Sequence, residues 1–209
     1  MAEEIVTQEK GKKPDEIRKE AEEKTCPVQR ILYYIDEFIA GPMCGKCYPC
    51  ALGTQEAKIR LIRISQHLDD VSASDIDVLK RIGLQMTEGS FCKKGKDTGR
   101  FITETIAGSS EEFDLHLSGI CPKKECLRLI EYVINPDLCI MCGRCLEACK
   151  YNAIVGERKE PYFSGYLPFE IRQKWCTRCG ECIKVCPAEA IEVITYEIEE
   201  LVDSSKHQK

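Results

Sequence analysis

Apolar residues recur at a period near 3.6 through the first half of the chain and shorten to strand-like runs in the second. Over residues 28–39, Ile31, Leu32, Ile35, Phe38 and Ile39 share one helical face, and over 54–64 Ala57, Leu61 and Ile64 continue the pattern. A third helix is expected to begin at Ser74, with Asp77 as its capping partner and Ile76, Leu79, Ile82 and Met86 on its buried side. Residues 100–107 and 110–117 read as two further short helices. Two apolar runs, Ala153-Ile154-Val155 and Ala190-Ile191-Glu192-Val193-Ile194, read as short strands. The helical stripes are read as the core of a bundle that holds a site, not as a site themselves.

At both ends the pattern fades. Residues 1–24 are almost all polar and are expected to be a mobile tail or a solvated helix, and residues 198–209 a polar tail. Between them the chain divides into a helical domain at 25–130 and a second domain at 131–197, an α+β protein with short antiparallel strands. No run reaches the ~18 apolar residues of a membrane span and no secretory signal opens the sequence, so a cytoplasmic protein without membrane insertion is expected. A net charge of −5 argues against a nucleic-acid partner, which calls for a basic face.

Fifteen cysteines in 209 residues change the picture. Disulfides fit poorly with an odd count and a reducing compartment, so metal is the leading use for the thiols. Eight cysteines form an internal repeat, Cys139-Ile-Met-Cys142-Gly-Arg-Cys145-Leu-Glu-Ala-Cys149 and Cys176-Thr-Arg-Cys179-Gly-Glu-Cys182-Ile-Lys-Val-Cys186. A C-x2-C-x2-C turn brings three thiolates to one [4Fe–4S] cube, and in two-cluster ferredoxins the fourth cysteine of each run serves the other cube. That rule groups Cys139, Cys142, Cys145 and Cys186 around one cluster, and Cys149, Cys176, Cys179 and Cys182 around a second. Zinc knuckles are the competing reading, but they pair two C-x2-C units and do not use two full four-cysteine runs. Residues 131–196 resemble the bacterial two-cluster ferredoxins. Lys150 stands where that family has a proline, and the connection to Trp175 is longer than the family's. Its inserted stretch, residues 161–169, is either a docking surface or a loop packed on its own domain.

Cys44-Gly-Lys-Cys47-Tyr-Pro-Cys50 repeats the three-cysteine turn, and Cys92 is the next candidate for its fourth ligand. This turn, a helical span and Gly89-Ser-Phe-Cys92 resemble the iron–sulfur helical domain of the NADH-oxidising flavoprotein subunit of respiratory complex I and of electron-bifurcating hydrogenases. Met43 and Ala51 replace that family's serine and arginine. The resemblance, over about 31–117, implies a third [4Fe–4S] cluster fed by a neighbouring FMN. The chain has no G-x-G-x-x-G, and the stretch from Gly89 to Asp97 misses the phosphate-loop pattern, so neither FMN nor NAD is expected on this chain alone.

Cys26, Cys121 and Cys126 remain, with His116 nearby. Three thiolates and an imidazole suit a structural zinc site, as the hydrogenase resemblance also implies; a fourth iron–sulfur cluster and no metal at all stay open. His67 and His207 have no such neighbours and read as solvated. Trp175, the single tryptophan, reads as packing beside a cluster.

The function expected is that of a non-catalytic iron–sulfur subunit with three [4Fe–4S] clusters. It would relay electrons between a complex-I-like NADH/FMN flavoprotein subunit and a catalytic subunit, either a hydrogenase or a molybdenum- or tungsten-dependent oxidoreductase. The alternatives are a free-standing polyferredoxin and a zinc-stapled interaction module. No nucleophile–base pair or open metal site marks an active site of its own.

Overall fold

The computed structural model describes residues 12–68, 70–159 and 167–195. The expected tail at 198–209, most of the inserted 161–169 stretch, His207 and residues 1–11 lie outside them. The chain divides into two compact units, residues 1–126 and 127–209.

The first unit is all helical among its described residues: α1 (Pro14–Glu22), α2 (Pro27–Ala40), α3 (Tyr48–Gln66), α4 (Ala73–Gly89), α5 (Lys93–Gly108) and α6 (Ser110–Leu117). Its core contains Ile31, Ile35, Phe38, Leu61, Ile64, Leu79, Met86, Ile102, Ile106 and Phe113, the expected stripes closed on one another.

Three expectations are corrected here. Residues 14–22 are neither a loose tail nor a solvated helix, because Ile17 and Ala21, spaced i and i+4, are fully buried. Arg18 then lies 5.4 Å over the Phe101 ring and 3.2 Å from Glu104, and Tyr33 donates to Glu20. Helix α4 starts one residue before the expected Ser74, and its acidic cap partner is Asp75 instead of Asp77. The Ser72 N–H donates to Asp75 Oδ2 at 3.0 Å, while Arg60 binds Oδ1 at 2.6 Å, so the carboxylate is both capped and paired where it is buried. Helix α5 begins at Lys93 and not near residue 100; its first two turns carry no large apolar side chain, which hides them from periodicity.

The second unit opens with a 3-10 turn (Leu127–Leu129) leading directly into β1 (Ile130–Ile134), which sets the boundary after Cys126 instead of at 130. Then follow α7 (Arg144–Ala148), β2 (Ile154–Val155), β3 (Glu170–Ile171), α8 (Glu181–Val185) and β4 (Ile191–Thr195). Strand β1 pairs antiparallel with β4, Ile130 opposite Thr195 and Ile134 opposite Ile191. Strand β2 pairs antiparallel with β3, Ile154 opposite Ile171. The two expected strands are present, and β1 and β3 are their partners. Ile130, Tyr132, Ile134, Ile154, Phe169, Ile171 and Ile191 form a core in which Cys145 and Cys182 are also buried. The α+β class is as expected.

Candidate iron–sulfur and metal centres

In the second unit the repeat folds as two matching halves. Met141 and Arg178 occupy equivalent left-handed positions (φ 55° and 58°), as do Gly143 and Gly180 (φ 75° and 79°) and Asn152 and Glu189 (φ 50° and 49°). Met141 and Arg178 sit between the first two cysteines of each turn, where the chain must curl tightly enough to aim successive thiols inward. Such backbone at a non-glycine residue costs about 1 kcal/mol or more and persists where the surroundings enforce it. Each curl continues into a one-turn helix, α7 or α8, that carries the third cysteine.

Two cavities result. One is lined by Cys139, Cys142, Cys145 and Cys186, with Gly143 and Phe169. The other is lined by Cys149, Cys176, Cys179 and Cys182, with Tyr132 and Tyr151. The fourth cysteine of each run thus stands at the cavity of the other run. Each of these two sulfurs accepts a backbone N–H four residues on: Ala153 N–H to Cys149 Sγ and Ala190 N–H to Cys186 Sγ, both at 3.3 Å. Burial pushes the Cys182 thiol up to about 11 and raises Cys145, so burial disfavours the charged form of both. Trp175 does not line either cavity. It is half-exposed, with the Arg172 guanidinium 5.2 Å from its ring centre.

In the first unit, Cys47 and Cys92 are the N-cap residues of α3 and α5, so two helix N-termini, each with a partial positive charge, flank the cysteine set. Cys50 lies one turn into α3, where its thiol is pushed up to about 11 by burial and then by Cys47, Cys92 and Cys44. Cys44, Cys47 and Cys92 are thus near enough to Cys50 for their charge to bear on it. A backbone hydrogen bond from Phe91 lowers Cys47, against the effect of its burial. At Gly95 a side-chain carbon would lie 2.7 Å from Ser90 Oγ and 3.4 Å from Cys50 Sγ, so the first turn of α5 packs closely only as glycine. Cys44, Tyr48 and Phe91 are exposed at this edge.

The third constellation joins Cys26, His116, Cys121 and Cys126, all fully buried, with every ligand atom within 4.8 Å of the others. Cys26 Sγ is 3.3 Å and Cys126 Sγ 3.4 Å from His116 Nε2; Cys26 Sγ is 3.8 Å from Cys126 Sγ and 3.9 Å from Cys121 Sγ. A tetrahedral zinc ion with Zn–S near 2.3 Å and Zn–N near 2.0 Å has edges of about 3.8 and about 3.5 Å, so the spacing fits. His116 Nδ1 donates to the Glu112 carbonyl at 2.6 Å, which turns Nε2 toward the sulfurs, as expected of a ligating histidine. Gln29 donates to Cys126 Sγ at 3.3 Å, and Glu125 anchors the Thr25 N–H at 2.9 Å and the Cys26 N–H at 3.2 Å. Burial alone lowers His116, but hydrogen bonds to Cys121 and Cys26 outweigh it and raise it to about 10. His67 is exposed, as expected.

Several contributors were not foreseen: the Ala153 and Ala190 N–H groups, Tyr132, Gln29 and the first turn of α5. A repeated Cys-x3-Ala following each run was the one available signal, and it marks the two sulfur-bonded alanines.

A C-terminal unit with two four-cysteine cavities and a helical unit with one four-cysteine site define an iron–sulfur protein of the electron-transfer class. The chain joins two known modules. The model of the NADH-ubiquinone oxidoreductase-F iron-sulfur binding region matches residues 30–116, and that of the 4Fe-4S dicluster domain matches residues 132–195. The chain is 29% identical over 142 residues to the NADP-reducing hydrogenase subunit HndC of Solidesulfovibrio fructosivorans, covering 68% of this chain and 28% of that protein. It is 33% identical over 107 residues to an NADH-quinone oxidoreductase subunit of Streptomyces coelicolor (48% of this chain, 22% of that protein). It is also 30% identical over 79 residues to the beta subunit of the NADP(+)-dependent formate dehydrogenase of Moorella thermoacetica (38% and 11%). The chain thus spans less than a third of each of these relatives. No described helix is long and apolar enough to cross a membrane.

Proposed function

We propose that this chain is the iron–sulfur relay of a multi-subunit cytoplasmic oxidoreductase and carries three [4Fe–4S] clusters and one structural zinc ion. Cys139, Cys142, Cys145 and Cys186 hold one cluster, Cys149, Cys176, Cys179 and Cys182 the second, and Cys44, Cys47, Cys50 and Cys92 the third. When bound, each cluster supplies a one-electron couple, and the chain's residues fix its surroundings. Helix N-termini and N–H donors stabilise negative charge on the sulfurs, and apolar walls keep water from the cube. The crossed lining of the two cavities is the observation that carries this reading, because a pair of separate zinc knuckles has no need of it.

Cys26, His116, Cys121 and Cys126 tie the entry of α2 to the chain beyond α6, and zinc there has a structural role with no open coordination position. The partners proposed are a flavoprotein subunit that handles NAD(H) through FMN and a catalytic subunit of the hydrogenase or formate dehydrogenase kind. The likeness to subunits of such enzymes supports this. The test is anaerobic isolation of the native protein. A stable complex with a flavoprotein and a catalytic subunit is expected. A chain that elutes alone, yet exchanges electrons with separate enzymes, would instead establish a free polyferredoxin.

A further inference from the structure

Phe91 is 84% exposed and Tyr48 82%, more than any other large apolar side chain among the described residues, and both stand at the site of Cys44, Cys47, Cys50 and Cys92. Tyr48 follows Cys47 at the start of α3, and Phe91 precedes Cys92 at the start of α5. The fold brings these two stretches together. A backbone hydrogen bond from Phe91 reaches Cys47, and a side-chain carbon at Gly89 would lie 3.1 Å from the Pro49 ring. Leu52, one turn beyond Tyr48 on α3, is 65% exposed and extends the apolar surface.

Cations accompany the rings. Lys46, Lys93 and Lys94 are exposed next to these cysteines, and none of them forms an ion pair among the described residues. Lys12, Lys58, Lys80 and Lys184, by contrast, each pair with a carboxylate. Of the acids nearby, Glu88 is exposed and Asp97 is paired with Arg100 at 3.1 Å. The edge is therefore locally basic on a chain whose net charge is −5. Lysines alone would also offset the charge of the thiolates behind them, but rings held in water would not. Exposed aromatic side chains beside unpaired charge mark a surface that a partner covers.

We infer that this edge is the docking face for an electron-transfer protein whose own cofactor edge is ringed by carboxylates. Tyr48, Leu52 and Phe91 form the apolar centre that loses water on contact. Lys46, Lys93 and Lys94 steer the acidic partner and fix its orientation. Docking there sets the partner's cofactor against Cys44, the exposed thiol of the set. One electron then passes between the two cofactors, oxidising one and reducing the other, with no bond or proton moved. This inference rests on the cluster proposed at Cys44, Cys47, Cys50 and Cys92.

The probe is an acidic flavodoxin, mixed with the full chain purified without oxygen, with iron measured on each sample. Carbodiimide joins amines to carboxylates without a spacer, and it is expected to link flavodoxin to Lys46, Lys93 or Lys94, as mapped by peptide mass spectrometry. In stopped-flow mixing at low salt, reduced flavodoxin is expected to reduce the Lys46→Gln/Lys93→Gln/Lys94→Gln chain about tenfold more slowly than the wild type, the gap closing as salt rises. Lys19→Gln/Lys58→Gln/Lys80→Gln removes the same charge elsewhere on the helical unit and is expected to leave the rate near the wild-type value. Tyr48→Ser/Phe91→Ser is expected to slow the exchange at high salt as well, because lost apolar contact is not screened. Links confined to other lysines, or equal rates in the two triple variants, would overturn the inference. Should a variant not load, the link map of the wild-type chain decides. A chain without iron that still links flavodoxin at these lysines would defeat the proposed ligation and leave the docking face standing, a distinct result.

Discussion

Cys26 Sγ lies 3.3 Å from His116 Nε2 although ninety residues separate them, and both are fully buried. The fold closes this contact together with Cys121 and Cys126, and the same four residues tie the first turn of α2 to the end of the unit. The zinc proposed here is a staple between segments far apart in sequence.

Removal of this metal therefore acts on stability more than on redox chemistry. Cys126→Ser is expected to abolish the single zinc found by metal analysis and to lower the unfolding midpoint of the helical unit by on the order of 10 °C. The EPR signals of the two dicluster sites are expected to persist.

Gly95 packs against Ser90 and Cys50, and a side-chain carbon there would lie 2.7 Å from Ser90 Oγ. Gly95→Val is expected to prevent the helical unit from loading, dropping iron from about twelve to about eight per chain, with helical circular dichroism largely retained. Unchanged iron in that variant would show that the close packing at Gly95 is not needed to load this site.

The crossed cysteines give an asymmetric expectation. Cys186→Ala removes a thiol from the cavity of Cys139, Cys142 and Cys145, though in sequence it belongs to the other run. Loss of the signal assigned to the Cys139 run, with the Cys176 run still loaded, is the expected EPR result. The reverse loss would show that the runs do not exchange their fourth ligands.

Much of this was legible in the sequence, because cysteine spacing reports turns directly and helical stripes report a core. The cavities' crossed linings follow from the repeat, and α2, α3, α4 and α6 follow from apolar periodicity. The misses share a physical cause. Helix α1 buries only Ile17 and Ala21, and the start of α5 buries mainly glycine and threonine, so neither writes a stripe. Asp75 replaces Asp77 as the cap partner because the helix opens one residue earlier than Ser74, with Ser72 as its N-cap and Asp75 three residues on, and Arg60 pairs with the same carboxylate. The Ala153 and Ala190 N–H groups act through backbone geometry, which residue type alone does not show.

Helix α1 offers a direct check on that correction. Ile17→Ala is expected to destabilise the helical unit by about 2–4 kcal/mol in denaturant titration, the usual loss for a buried isoleucine. A change of only a few tenths of a kcal/mol would return residues 14–22 to the status of a solvated segment.

The most direct measurement is the iron and acid-labile sulfide content of the full chain purified without oxygen, read with its low-temperature EPR spectrum after reduction. About twelve irons and about twelve sulfides per chain are expected, three cubes of four each, with signals from three distinguishable centres. A well-folded, colourless chain that holds zinc but neither iron nor sulfide would contradict the relay and leave a zinc-bound interaction module in its place.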